Sequence, residues 1–178
     1  MKRANALRAA LRFIAAIGLV GTITAAAADT DQIAFPLYQT HVLYAVYDLP
    51  RTKQVREAYI NPEALKHVRP GEPLPSGTVL TMPAFKAVLD ERGEPVKDAN
   101  GRYIRGSLEL ILVMEKRTGW GAEYPEDLRN GEWKYQRFRP AGARDEQVDS
   151  KVCLACHKPK RADDYVFTMP DLVEFSRQ

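Results

Sequence analysis

Apolar and polar positions change their period several times along this chain. Between residues 35 and 47 they are dense, and Leu37, Tyr38, Val42 and the Tyr44–Ala45 pair recur at near-helical spacing. That spacing predicts an N-terminal helix beginning at Pro36. Val55 to Ile60 reads as a short strand. Asn61-Pro62-Glu63 then supplies a cap, a first-turn proline and an early acid, and predicts a short helix over residues 62–68. Three prolines and two glycines make Pro70 to Gly77 a loop. Residues 78–89 look extended through Val79, Leu80, Phe85, Val88 and Leu89, and DERGEPVKDANG over 90–101 is a polar connection rich in turn formers. The apolar run Leu108 to Met114 is a strand, and Trp133, Tyr135 and Phe138 mark another extended piece after the Asn130-Gly131 turn. Strands framed by helices predict an α+β fold, an antiparallel β-sheet with flanking short helices.

The first 28 residues follow a different rule. Lys2, Arg3, Arg8 and Arg12 form a basic start, Phe13 to Thr24 is almost wholly apolar, and small residues run from Ala25 to Ala28. That order predicts a secretory signal peptide over residues 1–28 and export to the periplasm. The apolar stretch falls short of the roughly 20 residues that span a bilayer, so no membrane anchor is expected after processing. Loss of this segment moves the formal charge from +3 to −1, so the basic precursor does not point to nucleic acid. The remaining residues, 29–178, suit one domain. With 45% hydrophobic and 28% charged residues, the chain has the composition of a globular protein with a core.

The chemistry is concentrated near the C-terminus, in Cys153-Leu154-Ala155-Cys156-His157. Cysteines three apart lie on one side of a helical turn. Their thiols can add to the two vinyl groups of one haem edge, and the next residue brings an imidazole to the iron. This C-x-x-C-H spacing therefore reads as attachment of one c-type haem on a C-terminal helix, with Cys153 and Cys156 holding the cofactor and His157 as axial ligand. Lys158-Pro159 predicts that the helix is short. Three rival readings fit less well. A thioredoxin-like pair needs a βαβ context that is absent before Val152. A zinc site needs four ligands, while only His41 and His67 remain elsewhere, without ligand spacing. A plain disulfide leaves the histidine unexplained.

The stretch CLACHKPKRADDYVFT, from Cys153 to Thr168, resembles the C-terminal signature of the cytochrome P-460 family, which includes cytochrome c′-beta. Tyr59-Ile60-Asn61-Pro62-Glu63, Gly77-Thr78-Val79, Leu108 to Lys116 and Gly131-Glu132-Trp133 are similar to further family landmarks. The resemblance implies an antiparallel sheet, a homodimer, five-coordinate iron and small nitrogen species as ligands. In the hydroxylamine-oxidising branch a lysine is bonded to the porphyrin edge. The matching position here is Met82, with Lys86 and Lys116 as substitutes in another register. That branch also carries a catalytic acid on the strand matching residues 108–116, where Glu109, Glu115 and the apolar Leu112 are the candidates. Without the crosslinking lysine, the resemblance favours a gas-binding relative over an oxidase.

The distal side leaves further alternatives. Met82 reads as a sixth iron ligand or as an apolar residue packed beside the porphyrin. Met114 and Met169 read as core. His41 and His67 could ligate the iron in principle and read first as hydrogen-bonded structural residues. Phe35, Tyr44, Phe85, Trp133, Tyr135 and Phe138 are candidates for lining the haem or for the core. Arg137, Arg139, Arg144, Lys151, Lys158, Lys160 and Arg161 are candidates for propionates, for a periplasmic redox partner, or for a solvated face. Three functions follow: an open-site cytochrome for nitric oxide or related ligands, a hydroxylamine- or nitric-oxide-oxidising enzyme, and an electron carrier ligated by Met82.

Overall fold

The computed structural model describes residues 31–178. Five strands, β1 (Val42–Leu49), β2 (Gln54–Ile60), β3 (Val79–Ala87), β4 (Arg105–Lys116) and β5 (Trp133–Phe138), form one sheet in the order β1-β2-β3-β4-β5. All four pairings are antiparallel. Three short helices accompany it: α1 (Pro62–Leu65), α2 (Ser150–His157) and α3 (Met169–Phe175). The α+β expectation thus describes the protein. The signal-peptide reading of residues 1–28 lies outside the described residues.

The N-terminal helix expected from Pro36 is not formed. A single 3-10 turn, Tyr38–Thr40, leads directly into β1. The later part of the stripe that looked helical, Val42 and Tyr44–Ala45, belongs to a strand whose register shifts between Leu43 and Ala45. The extra residue is Tyr44, and such a bulge redirects a side chain that strict alternation would place elsewhere. The helix expected over 62–68 also stops early, after four residues. Asn61 is the N-cap residue and its carbonyl accepts from the Leu65 amide at 3.2 Å, but its side chain makes no capping bond. Its Oδ1 accepts from the Val79 amide at 2.8 Å and its Nδ2 donates to the Gly77 carbonyl at 3.2 Å, which fastens the loop to the start of β3. The polar connection 90–101 folds as two similar turns. Asp90 Oδ1 accepts from the amides of Arg92 and Glu94, and Asp98 Oδ1 accepts from those of Asn100 and Arg102.

The sheet separates two apolar clusters. One face carries Ile111, Val113 and Phe138, packed with Ile33, Tyr38 and Trp120. The other carries Ala58, Ile60, Leu80, Met114, Trp133 and Tyr135, covered by Leu154 of α2 and by Met169 and Leu172 of α3. That cover is incomplete, and the gap it leaves is the site described next.

Candidate functional site

Asp149 caps α2 by accepting from the Lys151 amide at 2.9 Å, so the helix that carries the cysteines has a defined start. Leu154, fully buried, pins the helix to the sheet. Asn130 reinforces that contact by donating to the Leu154 carbonyl at 2.9 Å and to the Tyr135 hydroxyl at 3.1 Å. Cys153, Cys156 and His157 then face one cavity of about 540 Å³, whose walls also include Tyr44, Leu80, Met82, Leu112, Met114 and Tyr135. That volume lies within the ~300–1,000 Å³ range of cofactor sites.

His157 is held on three sides. Its ring packs against Tyr135 at 4.8 Å between centroids and edge-on against Phe167 at 4.9 Å. Its Nδ1 lies 2.7 Å from the Tyr165 carbonyl oxygen. A carbonyl only accepts, so Nδ1 carries the proton and Nε2 keeps the lone pair that a metal needs. Burial pushes the imidazole pKa below its usual value, against a smaller opposing effect of the Tyr165 contact, so the ring is neutral near pH 7. Burial, and then neighbouring Cys156, raise the Cys153 thiol. Both cysteines are free thiols. Two unpaired thiols and an imidazole lone pair beside a mostly apolar cavity fit a haem. They do not fit a structural zinc site: among the described residues no group of three or more His, Cys, Asp or Glu side chains is placed to hold a metal ion.

The remaining candidates fall on both sides of this boundary. Met82 and Leu112 are cross-strand partners and both line the cavity. Lys86 and Glu109 instead line a separate, smaller hollow beside Arg51 and Lys53. Lys116 is engaged by Asp164 at 2.9 Å, and Glu115 is buried against Arg117 at 2.5 Å. The two candidate acids therefore stand away from the cavity. Tyr44 and Tyr135 line it. Phe35 and Phe138 pack on each other across the other face, at 5.3 Å, and Phe85 and Trp133 are core residues. Met114 and Met169 are both core residues, and Met114 also lines the cavity. His41 lies outside the cavity, and His67 is exposed near Glu63 at 3.9 Å. Of the basic residues, Arg137 reaches the cavity and is paired with Asp145 at 2.5 Å. Arg139 also faces Asp145, Arg144 donates to Gln136 at 2.7 Å, and Lys158 donates to the Arg129 carbonyl at 2.7 Å. Lys160 faces Asp163, while Lys151 and Arg161 are exposed.

Two features escaped the sequence reading. Arg56 lines the cavity and donates to Gln54 Oε1 at 3.1 and 3.3 Å, while Gln54 passes a bond to Glu109 at 2.6 Å. Arg56 shares strand parity with buried Ala58 and Ile60, so alternation along β2 carried a signal that it points inward. Tyr44, lifted inward by the bulge, shares a 2.6 Å hydrogen bond with Thr168, and burial pushes its hydroxyl up to about 12. Nothing in the sequence marks that bulge.

No curated protein matches the chain. The family model for cytochrome P460 matches residues 37–168, from the turn before β1 to the residue ahead of α3. With its two thiols, its oriented imidazole and the cavity they share, the chain belongs to the cytochrome P460 family of haem proteins.

Proposed function

We propose that this protein is an exported, periplasmic cytochrome carrying one haem c, with a five-coordinate iron that binds nitric oxide or related small nitrogen ligands. Cys153 and Cys156 hold the cofactor by thioether bonds, and His157 Nε2 occupies the axial position. The observation that carries this reading is the pairing of Met82 with Leu112 on the cavity wall. Resemblance to the oxidising branch asks for a crosslinking lysine at the position of Met82 and for an acid on β4, where Leu112 is one of three candidates, and both of these wall residues are apolar here. The substitutes Lys86, Lys116, Glu109 and Glu115 lie outside the cavity lining.

When bound, the haem supplies an iron that coordinates small neutral ligands. The chain's residues do the rest. Tyr165 sets the tautomer of His157. Leu80, Met82, Leu112 and Met114 form an apolar part of the wall, and Arg56 and Tyr44 are polar groups beside it. A homodimer and a periplasmic redox partner belong to the same reading.

A second reading is favoured by one observation. Met82 lines the cavity, so its thioether is available as a sixth ligand in an electron carrier. Absorption spectra of the oxidised and reduced holoprotein, with its intact mass, separate the readings. A high-spin iron that takes up nitric oxide, on a protein heavier than the bare chain by one haem, is expected. A low-spin iron indifferent to added ligand would transfer the function to Met82-ligated electron transfer. A red-shifted ferrous band with a lysine crosslink would make it an oxidising enzyme. Colourless protein from a host competent in cytochrome c assembly would end the haem reading altogether.

A further inference from the structure

We propose that Lys116 and Asp164 are positioning residues for the axial histidine: their buried ion pair holds a strained turn that aims the Tyr165 carbonyl at His157 Nδ1. The inference rests on haem ligation by His157.

After α2 the chain runs through a 3-10 segment, Lys158–Asp163, and must then reverse so that a carbonyl eight residues beyond His157 meets its ring. The reversal is made by Asp164 and Tyr165, both left-handed, at φ 51° and 63°. Two successive residues with a Cβ in that region are disfavoured by contact between side chain and backbone. Such a conformation persists where its surroundings over-determine it, and it concentrates at functional sites.

Here the restraint comes from the sheet. Lys116 Nζ, at the end of β4, lies 2.9 and 3.1 Å from the two carboxylate oxygens of Asp164. The Leu74 amide donates to the same carboxylate at 2.9 Å. Both charged side chains are about nine-tenths buried. Lys116 is itself fixed, because its backbone exchanges hydrogen bonds with Thr78 and Gly77 and its ammonium lies over the Trp133 ring. Within the turn, the Tyr165 amide donates to the Lys160 carbonyl at 2.7 Å. One end of Tyr165 is therefore tied to the haem segment and its neighbour is tied to the sheet, which leaves its carbonyl a single direction.

The consequence reaches the iron through basicity. A carbonyl that accepts from Nδ1–H makes the imidazole a better donor through Nε2. Removing one partner of a buried pair leaves an uncompensated charge that the surrounding structure relaxes to relieve. In Lys116→Met holoprotein the turn loosens and the His157 contact weakens. The expected readouts are a lower iron–histidine stretching frequency in the ferrous resonance Raman spectrum and a higher midpoint potential, because ferric iron loses more stabilisation than ferrous.

The double variant Lys116→Met/Asp164→Asn leaves no buried charge and keeps an acceptor for the Leu74 amide, so it remains foldable and decides the question if the single variant does not mature. One of two anchors survives in it, and a smaller shift in the same direction is expected. A variant that carries haem with the wild-type frequency and potential overturns the proposal. Wild-type ferrous protein that is high-spin and still lacks an iron–histidine band would instead overturn the assignment of His157 as ligand, and the two failures are thereby told apart.

Discussion

The two faces of strand β4 are built from similar residues and do opposite things. On one face Ile111 and Val113 are buried in a solid cluster with Phe138 and Trp120. On the other, Leu112 and Met114 line a cavity. Neither candidate acid lines that cavity: Glu115, on the first face, is buried against Arg117, and Glu109 is exposed and accepts from Gln54. Hydrophobicity alone does not distinguish a wall from a core. The difference lies in what is packed above each face, and above the cavity face α2 and α3 leave a space lined by two thiols and an imidazole.

That contrast is tested most severely by removing the thiols. Cys153→Ser/Cys156→Ser is expected to abolish covalent haem, and intact mass spectrometry should return the mass of the polypeptide alone. Retention of the haem mass would show that the cavity is not where the cofactor is attached. Next in size is the asymmetry in stability. Ile111→Ala empties a packed site and should cost about 2–5 kcal/mol in denaturant titrations. Leu112→Ala, on a half-buried cavity wall, should cost roughly half of that or less, because part of its surface is not packed against protein. Equal losses would mean that the two faces are equally filled.

A smaller effect is expected at Met82. Met82→Ala should leave the iron high-spin by absorption and magnetic circular dichroism, whereas a low-to-high-spin change would identify a sixth ligand. Smallest of all, Glu115→Gln removes a charge from the packed face, and the affinity for nitric oxide should stay at the wild-type value. A clear loss of affinity there would return the acid to the site.

Parts of this organisation were legible in the chain and parts were not. The strands over residues 55–60, 78–89 and 108–114 announced themselves by apolar runs bounded by prolines, glycines and acids, and each has a counterpart in β2, β3 and β4. The segment around Tyr44 misled because Leu37, Tyr38, Val42 and Tyr44–Ala45 satisfy a helical period as well as a bulged strand. Which is realised depends on β2 pairing alongside, from Val42 opposite Ile60 to Leu49 opposite Gln54. Arg56 was overlooked because a charged residue in a short strand is assigned to solvent by default, although its parity with Ala58 and Ile60 placed it inward.

The order of residues by itself determined the chemistry: two cysteines one helical turn apart and the histidine that follows them, since that spacing is local and a short helix suffices to present it. It also determined the alternation that made a sheet. Tertiary structure alone decided which of Leu112 and Glu115 faces the cavity, that Lys116 meets Asp164 across 48 positions, and that the Tyr165 carbonyl meets His157. Those outcomes depend on register, on a bulge and on a left-handed turn, and each of these is fixed by distant partners that no local pattern contains.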